Sequence, residues 1–196
     1  MVPRSYSDGQ TVFIEGHGAE HVFFIRAGAA RLTRLQTGGA ELLLDFVGAG
    51  GVLGVEALFE GEHSSTAVAC GTLVCCTASA ATLRELLPTH PGISLALLRM
   101  LRDDVDGLRT RVAELASGSA EQRVARFLVT TLPLWSSRVS KFTQADMARS
   151  VALTPETFCR VLAGFRARSG VRGTGRALTV VAPGPLARLA TVGRAG

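Results

Sequence analysis

The sequence predicts an α+β chain, with an all-β sandwich or barrel-like roll first and a helical, basic half after it. Three observations carry this. Short apolar runs punctuated by glycine recur from Gly9 to about Thr82, the rhythm of strands joined by turns. A heptad-like apolar seam follows, from Leu97 to Leu115. Charge is also segregated: residues 1–116 hold 9 Arg against 13 Asp and Glu, a balance of −4. Residues 117–196 hold 11 Arg and Lys141 against only Glu121, Asp146 and Glu156, a balance of +9.

The 196 residues are 47% hydrophobic and 19% charged, which excludes disorder and suffices for one large domain or two small ones. A membrane span needs about eighteen apolar residues, and the richest stretch, Leu42 to Phe59, is cut by Asp45 and Glu56. The N-terminus, Met1-Val2-Pro3-Arg4-Ser5-Tyr6, has no apolar signal-peptide core. A soluble, cytoplasmic protein without membrane contact is expected. The segregated charge points to a polyanion-binding C-terminal module. An Arg-rich genome explains Arg over Lys, but not the segregation.

The first strands are Thr11-Val12-Phe13-Ile14 before Gly16 and His21-Val22-Phe23-Phe24-Ile25 before Ala27-Gly28. Ala30 to Leu35 alternates apolar and polar residues and ends at Gly38-Gly39; Glu41 to Val47 precedes Gly48-Ala49-Gly50-Gly51. Thr66 to Cys70 and Thr72 to Thr77 close the series. The four cysteines, Cys70, Cys75, Cys76 and Cys159, form no C-x-x-C and no zinc pattern, so they read as reduced thiols acting as small hydrophobes. Redox sensing is the other reading.

Ala80 to Leu87 predicts a short helix ending before Pro88. The next helix starts at Pro91 and repeats Leu97, Leu101, Val105, Leu108, Val112 and Leu115 at spacings of three and four. A partner helix would cover that seam, making a homodimer; an ordinary helix packed on the sheet is the alternative. Gly107 weakens the helix. Ser117-Gly118 breaks it, and Ser119 with Gln122 offers a capping box for a helix to about Leu132, buried through Val124, Phe127, Leu128 and Leu132. Pro133 to Lys141 reads as a loop.

Thr143 caps a short helix to Val151, Ala152-Leu153-Thr154 is a tight turn, and Thr154 caps a second helix opening at Pro155. That helix runs to about Arg168 and buries Phe158, Val161, Leu162 and Phe165. Two short helices joined in this way form a helix-turn-helix, whose second helix enters the DNA major groove N-terminus first. Arg160 would donate to guanine O6 and N7, and Glu156 would accept from cytosine N4. A surface ion pair between the two is the competing reading. Val171-Arg172 and Leu178 to Val181 flank Gly173-Thr174-Gly175-Arg176 as a β-hairpin wing, with Arg172 and Arg176 set to meet phosphates. Pro183-Gly184-Pro185 precedes a terminal helical turn.

The stretch Phe142-Thr143-Gln144-Ala145-Asp146-Met147-Ala148, continued by Leu153-Thr154-Pro155-Glu156-Thr157-Phe158-Cys159-Arg160-Val161-Leu162, resembles the helix-turn-helix of bacterial CRP/FNR-superfamily transcription regulators. The likeness covers nearly all of the chain. Gly9, Gly16, Gly28 and Gly54 fall where the family's cyclic-nucleotide-binding β-roll, a double-stranded β-helix, has its turns. The resemblance implies a β-roll sensor at 1–90, a dimerisation helix at 91–116 and a winged helix-turn-helix at 117–196. It also implies base reading by Glu156 and Arg160, and phosphate contacts by Thr143, Gln144, Thr154 and Thr157. A homodimer on double-stranded DNA would span an inverted repeat with half-sites about 34 Å apart and position RNA polymerase. No catalysis and no cofactor are expected.

Departures from the family pattern concern the sensor. Relatives that bind cyclic AMP carry Phe-Gly-Glu and, further on, Arg-Ser; here Val55 follows Gly54, Glu56 is displaced by one, and His63 or Ser64 stands for the arginine. Between Arg34 and Arg84 there is no Lys or Arg, while Glu60 and Glu62 would repel a phosphate. Independence from cyclic AMP is therefore expected. Gly54, Glu56, Ser64, Ser65 and Thr66 remain the candidate pocket for an unknown small-molecule effector. No cysteine precedes Cys70, which disfavours the iron–sulfur mode, and His17, His21 and His63 read as surface or turn residues rather than haem ligands. A haem-dependent sensor, or a ligand-binding module whose basic tail meets RNA or a protein, are the alternatives. The chain begins just before its first expected strand, without the family's usual preceding helix. Ala152 replaces the turn's usual glycine.

Overall fold

The computed structural model describes residues 1–39, 41–59, 61–131, 144–168, 170–173, 178–181 and 183–191. The chain divides into two compact units, Met1–Ala40 with Leu44–Leu108, and Glu41–Leu43 with Arg109–Gly196. Among the described residues no helix is long and apolar enough to cross a membrane.

The first unit is built on strands β1 (Val2–Tyr6), β2 (Thr11–Phe13), β3 (His21–Leu35), β5 (Val52–Leu53), β6 (Thr66–Ser79) and, from Leu44 onward, β4 (Glu41–Gly48). The order is β1-β6-β3-β4, with β2 also on β6 and β5 on β3. β3 and β6 pair antiparallel from His21 opposite Ser79 to Thr33 opposite Thr66. Phe23 and Ile25 enter one core cluster with Phe13, Leu53, Leu73 and Cys75, whereas Val22 enters another with Ala57, Ala78 and Leu83. Both faces of β3 are covered there, so its run reads as continuously apolar rather than alternating.

The predicted strand breaks at Gly28 and between Cys70 and Thr72 are bulges inside two long strands. The β3–β6 register shifts on either side of Ala27, and Gly28 has φ +80°. A Cβ at Gly28 would lie 2.1 Å from the Thr72 carbonyl oxygen, so only glycine allows this approach. Gly9 and Gly16, by contrast, do sit in turns. β1 was not expected: only Tyr6 of its five residues is buried, and Pro3 suits an edge strand.

A short 3₁₀ helix, Val55–Phe59, precedes β6, and helices α1 (Ala80–Thr89) and α2 (Pro91–Ser117) follow it. Ser79 caps α1 by accepting from the Thr82 N–H at 3.1 Å. α1 runs through Pro88 instead of ending before it. The proline lies in the last turn, where the missing donor removes one bond, and the His90 N–H still closes onto the Leu86 carbonyl.

The second unit holds α3 (Ala120–Thr131), α4 (Gln144–Ser150), α5 (Pro155–Ala167), β7 (Val171–Arg172), β8 (Thr179–Val180) and α6 (Pro183–Thr191). The capping box forms as expected: Ser119 N donates to Gln122 Oε1 at 2.8 Å, and Gln122 N to Ser119 Oγ at 3.2 Å. Val124, Ala125 and Leu128 of α3 are fully buried, and Phe127 is half-buried. Leu132 and the expected loop from Pro133 to Lys141 lie outside the described residues. α6 begins at Pro183 itself, where proline is tolerated, and is longer than the single turn expected.

Candidate nucleic-acid interface

α4 buries Met147 and Ala148 completely, and α5 buries Phe158, Val161, Leu162 and Phe165, the stripe read from the sequence. Between them the N–H groups of Val151, Ala152 and Leu153 close back onto α4 carbonyls at 3.0–3.2 Å and 2.9 Å. Ala152 takes φ 51°, left-handed and strained for a residue with a Cβ. Arg123 of α3 donates to the Ala152 carbonyl at 3.4 Å and supports the turn from below. No local spacing announces that contact.

Thr154 caps α5 in extended geometry, accepting from the Thr157 N–H at 3.3 Å, with Pro155 following. Its hydroxyl donates to Thr157 Oγ1 at 3.2 Å. Glu156 and Arg160 are both exposed, one turn apart on the side opposite the buried stripe. Among the described residues neither joins an ion pair, so the competing surface-pair reading has no contact behind it. The Glu156 carboxyl is held below the usual carboxylate range by its own backbone N–H and the Thr154 hydroxyl.

Gln144 is half-buried, and its Oε1 accepts the Cys159 thiol at 3.0 Å, tying α4 to α5. Neither sequence reading of that thiol, small hydrophobe or redox sensor, includes this tie. Arg168 bonds Glu121 at 3.0 Å and lies over the Phe165 ring at 5.5 Å. β7 and β8 pair antiparallel, Val171 opposite Val180, which gives the expected hairpin, with Arg172 exposed beside it. Thr143 and Arg176 lie outside the described residues.

The candidate effector segment is folded on itself. Gly54 has φ +73°, and a Cβ there would lie 2.7 Å from the His21 carbonyl oxygen. Glu56 Oε1 meets His63 Nδ1 at 3.0 Å and accepts the Ser64 N–H at 3.4 Å. Against the surface or turn reading, His63 is buried at 5% exposure, stacked on Phe13. His17 is exposed and His21 half-buried. Ser65 is buried, Ser64 exposed, and Thr66 Oγ1 accepts from the Glu15 N–H at 3.0 Å. Arg34, from outside the segment, donates twice to the Ser64 carbonyl and pairs with Glu15 at 3.3 Å. Among the described residues no group of three or more His, Cys, Asp or Glu side chains is placed to hold a metal ion.

On α2, Leu97 and Leu101 are half-buried, while Val105, Leu108, Val112 and Leu115 are exposed. Leu97 lines an apolar hollow of about 70 Å³ with Val22, Phe24, Leu58, Leu83 and Leu87 of the β-rich unit.

Comparison with known proteins agrees with this architecture. Residues 3–90 match the family model described as a cyclic nucleotide-binding domain, and residues 122–189 the Crp-like helix-turn-helix domain. The Escherichia coli K12 fumarate and nitrate reduction regulatory protein is 26% identical over 189 residues, covering 93% of this chain and 76% of that protein. The fold is shared with FixK2 from Bradyrhizobium japonicum (TM-score 0.77, 21% identity, 96% of each chain). It is shared equally with a CRP-family transcriptional regulator from Thermus thermophilus (TM-score 0.77, 21% identity, 95% and 96% of the two chains). With the two domains in this order and a relative aligned along almost the whole of this chain, the protein belongs to the CRP/FNR family and is a transcription regulator with a helix-turn-helix DNA-binding domain.

Proposed function

We propose that the chain acts as a cytoplasmic homodimer, reads an inverted repeat in double-stranded DNA and positions RNA polymerase there, without catalysis. The observation that carries this is the outward face of α5. Its opposite face is buried in the domain, while Glu156 and Arg160 stand exposed with no ion-pair partner among the described residues. Arg160 suits guanine O6 and N7, and Glu156, held charged by its cap, suits cytosine N4. Gln144, Thr154, Thr157 and Arg172 serve as phosphate contacts in this reading, and so do Thr143 and Arg176, which lie outside the described residues. The division into a sensor at 1–90, a dimerisation helix at 91–116 and a reading head at 117–196 belongs to the same reading.

The regulator works without cyclic AMP. Glu56 is engaged by His63, and the only cation brought to Ser64 among the described contacts, Arg34, is already shared with Glu15. A cyclic phosphate entering beside Gly54 would meet Glu56 and Glu62 with no uncommitted arginine among those contacts to offset them. Any effector at Gly54, Glu56, Ser64, Ser65 and Thr66 is thus a small molecule of other chemistry.

Selection of bound duplexes from a random pool, with and without cell extract, tests both points. The expected product is an inverted repeat, enriched without added nucleotide. Arg160→Ala should weaken binding by about 1–3 kcal/mol and relax preference at one guanine. An unchanged preference would remove the base-reading assignment. Equal affinity for selected and random duplexes would point instead to RNA or a protein as the partner.

A further inference from the structure

Gln144 and Cys159 meet where the first residue of α4 packs against the second turn of α5. The Cys159 thiol donates to Gln144 Oε1 at 3.0 Å, and both residues are half-buried. Cys159 follows the fully buried Phe158 and precedes the exposed Arg160. Each step along the helix turns about 100°, so the thiol lies at the margin of the buried stripe, beside the face that reads DNA.

A carboxamide is two-sided: its oxygen accepts and its nitrogen donates. In a solvated glutamine the two ends exchange by rotation about the last side-chain bond, and an oxygen turned toward a phosphate is repelled. The thiol removes that freedom here. Sulfur is a weak acceptor, so the contact favours S–H pointing to oxygen and holds Oε1 inward against α5. Among the described residues Gln144 Nε2 has no protein acceptor, and it is not one of the side-chain nitrogens sealed from solvent. The outward end thus carries two donors and no acceptor, which suits phosphate oxygens.

We propose that Cys159 is a positioning residue for DNA binding, whose thiol orients the Gln144 carboxamide so that its NH2 end meets a backbone phosphate. The inference rests on the reading of Gln144 as a phosphate contact above. The role of Cys159 passes through Gln144 alone. Phosphate contacts fix the register of a protein on DNA and carry no sequence information. The thiol therefore contributes equally on every duplex, unlike Glu156 and Arg160, which read bases.

The test is fluorescence anisotropy of the full chain on the selected duplex and on a random one, under reducing conditions at one fixed salt concentration. Gln144→Ala should weaken binding to both by about three- to tenfold, the range of one lost hydrogen bond. Cys159→Ala should weaken both alike, by about threefold, because the released amide still meets the phosphate part of the time. Cys159→Ser, whose hydroxyl still donates to Oε1, should bind as the wild type does. In the Gln144→Ala background, Cys159→Ala should cost nothing more. Wild-type affinity in Cys159→Ala, a loss shared by Cys159→Ser, or an added loss in the double variant would overturn the positioning role. So would a loss confined to the selected duplex, since the thiol would then act by seating α5 for base reading. Wild-type binding by Gln144→Ala would instead overturn the phosphate contact on which the inference rests.

Discussion

The carboxylate of Glu56 and the imidazole of His63 hold each other 3.0 Å apart across the segment where the sequence places an effector pocket. The ring is stacked on Phe13 with centroids 3.8 Å apart and planes 9° from parallel. The pair therefore binds the 3₁₀ helix to the start of β6 through one buried side chain.

Removing the ring should cost the first unit its closure. His63→Ala strips a buried ring from Phe13 and leaves Glu56 without its partner, at a cost of about 2–3 kcal/mol. Glu56→Gln keeps an acceptor at that site and should cost under about 1 kcal/mol. Urea denaturation of the two variants measures the difference; equal losses would mean the stacking contributes nothing.

The cap of α5 makes a smaller, local prediction. Thr154→Ala removes the acceptor for the Thr157 N–H and should cost about 1 kcal/mol, while Thr154→Ser retains it. Thermal unfolding followed by circular dichroism separates the two, and identical melting temperatures would reject the cap.

Ala152 is strained by its left-handed φ of 51°. Ala152→Gly should stabilise the chain by about 0.5–1 kcal/mol, after allowing for the unfolded-chain entropy that glycine adds. A loss of stability would show that the Cβ contributes packing that outweighs the strain.

Gly107 lies inside α2 with open space around its α-carbon. It falls on the face away from the stripe, so Gly107→Ala should raise stability by about 0.5–1 kcal/mol through helix propensity alone. Dimer affinity should not fall. A weakened dimer would place this face inside the interface.

Cys75 is fully buried, and burial, helped by neighbouring Cys76, pushes its thiol up from 9.0 to about 11. The folded state thus favours the protonated thiol. Its stabilising contribution is whole below pH 9.0 and is lost as pH rises through about 11. Stability should fall across that window in the wild type and fall less in Cys75→Ala, by denaturation at a series of pH values. At pH 8 alkylation should reach Cys75 last of the four cysteines, read by mass spectrometry.

Much of this was legible locally. The Ser119–Gln122 box, the Thr154 cap, Pro155 at the first turn and the buried stripe of α5 depend on neighbours within a few residues, so their spacing reveals them. The errors share a cause too. Gly28 looked like a turn because glycine permits both turn and bulge, and only Thr72 opposite decides which. Arg31 and Thr33 take the polar places in the alternation from Ala30 to Leu35, yet both are buried. Edge strand β1 leaves no pattern, since four of its five residues face solvent.

By itself the sequence determined the succession of β-rich and helical parts, the helix-turn-helix, the basic C-terminal half and the apolar stripe of α2. These follow from backbone propensity, capping and periodicity, which act over one or two turns. Tertiary structure alone decided that His63 is buried against Phe13 and Glu56, that Arg34 reaches Ser64, that Cys159 meets Gln144 and that Leu97 turns to the β-rich unit. Those choices are set by which distant surfaces exclude water together, and residue spacing carries no record of it.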